Sequence, residues 1–347
     1  MGSRRRQQLD LFVPAGPADT VPTTTLPTGR GDIGPAPVAS DLAALAGRLP
    51  RSVHLGTSSW SFSGWAGIVY DRPASAARLA RHGLAAYARH PLLRAVGIDR
   101  TYYAPIDAET FASYAGQVPA DFRFLVKAHE VCTLARFPNN GRYGTRRGTR
   151  NPVFLDPDYA ADVVVGPALD GLGDTAGPIL FQFPPQDFAA LGGPDAFIDR
   201  LHGFLAALPA GPLYAVEIRN HAVLTARYAA ALAAAGVCHC FNAHPSMPDV
   251  RAQVEVVAAG TAPAMVARWM LQRRFAYDEA RAAYQPFDRI VDDDPETREA
   301  LALLCRDAAR AGTPAFVIIN NKAEGSAPLS AFRLARRVVD LLGAADG

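Results

Sequence analysis

Polar and charged side chains recur at the ends of short apolar runs, and their types set the chemistry open to this chain. The runs finish on Ser58 and Trp60, on Asp99, Thr101 and Tyr103, on Lys127 and on Gln182. The later ones finish on Glu217, Arg219 and Asn220, on Asn242, on Arg268, and on Asn320, Asn321 and Lys322. Lys127, Arg219, Arg268 and Lys322 outnumber the carboxylates Asp99 and Glu217. Convergent arginine and lysine favour an anion, because a guanidinium can grip phosphate or carboxylate in bidentate fashion. The basic stretch 142–150 adds to that balance. The opposing reading is that these cations pair with Asp99 and Glu217 and leave little net charge.

Glu217 is the strongest single choice for acid–base work. It closes the apolar run Leu213–Val216, so partial desolvation should raise its carboxyl pKa. Arg219 lies two residues on, projects to the same side and opposes that shift. Asp99 and Lys127 complete the expected catalytic set. Asp99 with Glu217 would also make a carboxylate pair of the glycosidase kind, with Trp60 or Trp65 as a stacking platform. No metal or cofactor is expected. The histidines form no H-E-x-x-H or H-x-H pattern, and no Walker motif, glycine-rich dinucleotide turn or G-x-S-x-G elbow occurs. Cys132, Cys238, Cys240 and Cys305 form no C-x-x-C pair and read as buried free thiols, which suits a reducing cytosol.

The elements that must position these residues alternate between two periods. Eight β-prone runs start at Val53, Arg94, Phe122, Pro178, Leu213, Val237, Ala264 and Ala315. Helical stripes separate them: Phe197, Leu201, Phe204, Leu205 and Leu208 make one, and Leu224, Tyr228 and Leu232 another. Asp107 and Asp294 stand as N-caps, the latter followed by Pro295. Strands alternating with helices pair in parallel, and eight such units predict a closed (β/α)8 TIM barrel over residues 51–343. An open doubly wound sheet is the competing fold, but its phosphate turn is missing after Gly56. In a barrel the polar run ends gather at one mouth. Two connections, at about 130–156 and 270–294, are long enough to be binding loops or lids there.

Residues 1–50 have a different composition. Pro, Gly, Thr and Ala dominate from Pro14 to Pro37, which predicts a disordered tail, with a short helix at 41–48. The basic start at Arg4, Arg5 and Arg6 precedes no apolar segment, so no signal peptide is expected. No run reaches the ~18 apolar residues of a membrane span. A net charge of +2 provides no global field for nucleic acid, so any such site must be local. These features together point to a cytoplasmic protein.

Within the tail, Gln8-Leu9-Asp10-Leu11-Phe12 is similar to the short peptide by which bacterial replication and repair proteins dock on the sliding clamp. Leu11 and Phe12 would anchor in an apolar groove, with Leu9 beside them and Gln8 supplying amide hydrogen bonds. A tail folded back on the barrel is the competing explanation.

Several strings also resemble the YecE-like family, also called domain of unknown function 72. They are LGTSSWSFSGWAGIVYD (55–71), VGIDRTYYAP (96–105), DFRFLVKA (121–128), GPILFQFPP (177–185), YAVEIRN (214–220) and INNK (319–322). The resemblance spans about residues 52–342. It implies a TIM barrel but no reaction, since none is established for the family. It picks out Trp60, Trp65, Tyr70, Thr101, Tyr103, Lys127, Gln182, Pro184, Pro185, Glu217, Arg219, Asn320 and Asn321. One departure stands out: the family's second strand carries Val-Glu where this chain has Val96 and Gly97. Asp99, two residues on, is placed to occupy the mouth instead.

Three functional readings remain open at this point. The first is an enzyme acting on a phosphate-bearing or other anionic ligand, either a small molecule or nucleic acid. The second is a non-catalytic binding protein tethered to a clamp. The third is a carbohydrate-active barrel using Glu217. The tail supplies its own test: retention on purified bacterial clamp should be lost in Leu11→Ala and Phe12→Ala variants, and unchanged retention rejects clamp docking.

Overall fold

Each apolar run contains a strand in a computed structural model that describes residues 32–257, 262–271 and 277–344. The strands are β1 (Val53–Thr57), β2 (Ala95–Ile98), β3 (Arg123–Lys127) and β4 (Ala176–Phe183). They continue with β5 (Tyr214–Ile218), β6 (Cys238–Ala243), β7 (Met265–Trp269) and β8 (Ala315–Ile319). Neighbours in sequence are neighbours in the sheet, and β8 returns beside β1 to close the barrel. Every pair is parallel, including the closing one, where Val53 lies opposite Ala315 and Thr57 opposite Ile319. Parallel strands under a helical coat are buried on both faces, which is why these runs are apolar at nearly every position.

Side chains along a strand alternate between the two faces. Leu125, Leu180, Ala215, Cys240, Val266 and Ile318 point inward and form an apolar layer inside the barrel. Val126, Phe181, Val216, Phe241, Ala267 and Val317 join the larger core shared with the helices. Two residues beyond the inner layer come Lys127, Gln182, Glu217, Asn242, Arg268 and Asn320. The barrel is therefore apolar in its middle and polar in its top layer. All four cysteines are buried and free.

Helices follow the expected stripes. The helix Pro194–Ala206 buries Phe197, Leu201, Phe204 and Leu205, and Ala226–Ala234 buries Tyr228 and Leu232. Asp107 and Asp294 cap their helices by accepting from Thr110 N at 2.8 Å and Thr297 N at 3.0 Å. None of the described helices is long and apolar enough to cross a membrane.

The expected boundary at residue 50 needs correction. Residues 32–50 pack on the barrel: Ile33, Leu45, Ala46 and Leu49 are buried, and Ser40–Arg48 is helical. Arg94 seals that helix by donating to the carbonyls of Ala46, Leu49 and Pro50 at 2.7, 3.2 and 2.8 Å. Four spaced apolar side chains outweigh the loop-like composition around them. Gln8, Leu9, Leu11 and Phe12 lie outside the described residues.

Both long connections leave the end of the barrel that carries the polar layer. Residues 130–156 enclose a small core of Val131, Leu134, Phe137 and Tyr143. In the second, Leu271, Ala280, Tyr284 and Phe287 cluster around the helix Tyr277–Tyr284. Arg273 and Arg274 lie outside the described residues.

Closure leaves no room at Gly56, where a Cβ would lie 2.0 Å from the Ala95 carbonyl oxygen across the β1–β2 pair. Gly56→Ala should cost about 1–3 kcal/mol or more in urea unfolding. Gly47→Ala, in a helix with nothing within 4 Å of the added methyl, should gain about 0.5–1 kcal/mol. Equal stabilities of the two variants would contradict this packing.

Candidate functional site at the barrel mouth

Glu217 occupies the centre of the polar layer and is fully buried. Its Oε1 accepts from Arg219 Nε at 2.8 Å and from an Arg219 terminal nitrogen at 2.6 Å. Its Oε2 accepts from Arg268 at 2.7 Å. Arg268 is also fully buried, and its other terminal nitrogen donates to both oxygens of Asp99 at 3.2 and 3.1 Å. Gln182 Oε1 accepts from Arg268 at 3.0 Å and from Arg219 at 3.2 Å. One ion network thus ties β2, β4, β5 and β7 together.

Glu217, the acid–base candidate of the sequence, does not have the raised carboxyl that its apolar run suggests. Burial does push its carboxyl upward, but Arg219 and Arg268 outweigh burial and hold it well below the usual carboxylate range. Glu217 is an ionised anchor. The two arginines are correspondingly committed to Glu217, Asp99 and Gln182, which is the self-paired arrangement weighed against an anion site. The carbohydrate reading needs an exposed indole beside Glu217. Trp65 is fully buried against Phe62 and Tyr87, and Trp60 is buried with its Nε1 donating to the Ala80 carbonyl at 3.3 Å. Neither indole offers an open face for a sugar to stack on.

Asp99 is the accessible member of the network, with 29% of its side chain exposed. It occupies the place anticipated for it above Gly97. At Gly97 a Cβ would already meet Ser58 Cα at 3.3 Å and Ile318 Cγ2 at 3.4 Å.

The lysines behave differently from the arginines. Lys127 is buried at the end of β3, with its Nζ 3.8 Å from the centre of the Tyr102 ring. Burial pulls its pKa from the ordinary 10.5 to about 7; Asp99 resists, while Arg268 and Arg219 add to the drop. That drop corresponds to roughly 5 kcal/mol. A cation–π contact worth up to about 2 kcal/mol cannot restore it. Lys322, beyond β8, is lowered to about 8 by burial and Arg281, against Asp278 and Asp99. Its Nζ lies 3.5 Å from Asn320 Oδ1 and 5.7 Å from the centre of the Phe287 ring. Both lysines lie at the C-terminal end of the barrel, Lys127 closing β3 and Lys322 just past β8.

Several other predicted residues hold the scaffold. Thr101 Oγ1 lies 2.6 Å from the carbonyl oxygens of both Ile98 and Lys127, with one proton to share between them. Asn220 exchanges hydrogen bonds with the backbone of Gln186 at 2.9 and 3.1 Å. Asn321 Oδ1 accepts from Ala327 N at 2.8 Å and caps the last helix, away from the mouth. Asn320 donates to Ser58 Oγ at 3.0 Å at the rim. Tyr103 is half-buried at the rim, its ring 4.5 Å from the Arg142 guanidinium. Among the described residues no group of three His, Cys, Asp or Glu side chains is placed to hold a metal ion.

Sequence reasoning passed over Tyr102, Glu130 and Glu324. Glu130 is buried, with Arg142 at 2.7 Å and the Tyr143 hydroxyl at 2.9 Å. Glu324 is buried beneath the second long loop and accepts from Asp294 N and Arg298 at 2.8 and 3.0 Å. It also passed over a signal in plain view. Of the 35 basic residues in the chain, only Lys127 and Lys322 are lysine. Where charge alone is needed the chain uses arginine. The two exceptions sit buried at strand ends, where an amine shifts its pKa and a guanidinium does not.

A family model described as protein of unknown function DUF72 matches residues 54–344. A DUF72 family protein from Thermotoga maritima is similar in structure, with a TM-score of 0.53 and 18% identity over 82% of this chain and 98% of that one. Another from Enterococcus faecalis gives a TM-score of 0.53 and 16% identity over 82% of this chain and 95% of that one. At such identities the likeness concerns the fold alone. No curated protein sequence matches the chain.

Removing the charge of Glu217 strands two buried guanidinium groups, so Glu217→Gln should cost about 3–5 kcal/mol at neutral pH. The sign with pH follows from the lowered carboxyl. The contribution is complete above the ordinary value of 4.5 and is lost as pH falls below it, toward the lower folded-state pKa. Urea unfolding at pH 7 and pH 3 should therefore show a smaller acid loss in the variant than in the parent. Equal losses would remove Glu217 from the account.

Proposed function

The chain belongs to the DUF72 family, whose function is unknown, and we propose that its barrel mouth binds an anionic small molecule and moves a proton on it through Lys127. The observation that carries this reading is the pair of buried lysines. They are the chain's only two, both are buried at or just beyond strand ends on the polar side of the barrel, and burial lowers them to about 7 and about 8. A general base works best when its pKa lies near the operating pH. Strongly perturbed groups gathered at a barrel's C-terminal mouth mark functional sites more often than structural ones.

In this reading the ions divide the work. Glu217, Arg219, Arg268 and Gln182 form a fixed frame whose charges cancel internally. Asp99, held by Arg268, is the accessible carboxylate that orients the ligand or relays its proton. Lys322 supplies the positive charge for a phosphate or carboxylate group. Neutral Lys127 accepts a proton from the ligand and becomes an ammonium, which the ligand's own anion then stabilises.

A bound anion favours both ammonium forms, so binding takes up protons between about pH 7 and 9, and affinity falls as pH rises through the two lysine values. Thermal-shift screening with phosphate and carboxylate compounds, followed by calorimetry in buffers of different ionisation enthalpy, checks this. The expected ligand binds about tenfold more weakly at pH 9 than at pH 6.5, and Lys127→Met reduces its proton uptake to the share carried by Lys322. Unliganded Lys127→Met should melt higher than the parent at pH 6, because a buried charge is removed. Binding that is independent of pH, or unaltered in Lys127→Met, would reject the proposal.

A further inference from the structure

A second constellation lies beside the mouth and rests on different observations. Residues 131–155 carry five arginines, Arg136, Arg142, Arg146, Arg147 and Arg150, and no aspartate or glutamate. The chain there forms a hairpin. Phe137 N bonds Thr149 O at 2.9 Å, and Asn151 N bonds Ala135 O at 3.0 Å. Arg136 and Arg150 lie directly opposite each other between those bonds, as antiparallel partners. This is the non-hydrogen-bonded type of pair, with Cα atoms only about 4.5 Å apart and side chains on one face. Like charges in that position repel.

Among the described residues no carboxylate lies within ion-pair distance of Arg136 or Arg150 to relieve the repulsion. Arg142 is committed to Glu130, and Arg146 lies over the Phe137 ring. Arg136 donates to the Gly148 carbonyl of its own hairpin. Among the described residues neither Arg136 nor Arg150 makes an ion pair with an acidic side chain. Both line a cleft of about 510 Å³ between the hairpin and the segment that follows β4. Arg200 enters it from the opposite wall, with its guanidinium 5.2 Å from the centre of the Phe154 ring. Phe137, Phe154 and Pro185 supply apolar lining. The lining also includes Asp187, whose carboxylate accepts from Ala189 N at 3.1 Å. Three arginines against one aspartate leave the cleft positive.

We propose that this cleft binds an organic phosphate of the nucleoside monophosphate class, with its phosphate between Arg136, Arg150 and Arg200 and the rest of the ligand against the less buried Pro138, Pro152 and Pro185. An anion between two opposed arginines turns their repulsion into a charge-assisted grip. The volume suits one small-molecule ligand. The apolar lining gives a body to the ligand that inorganic phosphate lacks. The cleft lies outside the lysine-bearing mouth, so the two sites stand or fall separately.

Calorimetry on the full chain with adenosine monophosphate, adenosine and inorganic phosphate tests the assignment. The expected result is that the monophosphate binds more tightly than either of its parts. Arg136→Gln with Arg150→Gln should weaken it by at least about tenfold, the loss expected from one or two charge-assisted contacts. The unliganded double variant should melt no lower than the parent, since like-charge repulsion is removed. Arg200→Gln, on the opposite wall, should weaken the same ligand and guards against a disturbed hairpin. Arg147→Gln, on the same hairpin but outside the cleft lining, should leave the affinity unchanged. The proposal is overturned if the monophosphate does not bind, if adenosine or phosphate binds equally well, or if Arg147→Gln rather than the cleft arginine variants removes binding.

Discussion

The carboxylate of Glu217, clasped between Arg219 and Arg268, is the interaction on which the rest of the mouth depends. It links β5 to β7 directly, to β4 through Gln182, and to the residue following β2 through Asp99. Such a network is not a large source of net stability, because taking these ions out of water cancels most of their attraction. Its effect is geometric. Once one partner is in place the others cannot leave without stranding a buried charge. The network also settles which groups remain for a ligand. It keeps Glu217 ionised, commits both arginines, and leaves Asp99 partly exposed at the same end of the barrel as two amines that burial has brought near neutrality.

Much of the barrel was legible because its strands are short, apolar and evenly separated by amphipathic helices. Period-two alternation then places Lys127, Gln182, Glu217 and Arg268 on the inner face without further information. What the sequence could not supply was distance. Glu217 next to apolar residues reads as a raised carboxyl. Arg268, which reverses that shift, is 51 residues away and reaches Glu217 only through barrel closure. Trp60 and Trp65 look like ligand platforms in a list of residue types, yet packing puts both into the core. The segment 32–50 shows the opposite failure, since a few spaced apolar residues anchor a stretch whose composition resembles a linker. The clearest overlooked signal was compositional: a chain that uses arginine almost everywhere retains lysine at two buried strand ends.

Charge is arranged differently in the two proposed sites. In the mouth, arginines are neutralised by carboxylates and the titrating groups are lysines. In the rim cleft, arginines face one another without such partners and stay charged at any pH the protein meets. A ligand at the mouth should therefore couple to proton uptake, and a ligand at the rim should respond to salt far more than to pH. The two sites are joined physically by Arg142, which packs against the Tyr103 ring and pairs with Glu130. That contact runs from the basic hairpin to the segment bearing Asp99.

In the proposed site, a fixed ionic frame stands at the same mouth as two titrating lysines. Because the chain contains only two lysines, an NMR pH titration with 13Cε-labelled lysine reads both directly. The predicted result is two midpoints, near pH 7 for Lys127 and near pH 8 for Lys322, with the lower one absent from Lys127→Met. Two midpoints near the ordinary value of about 10.4 would contradict the account.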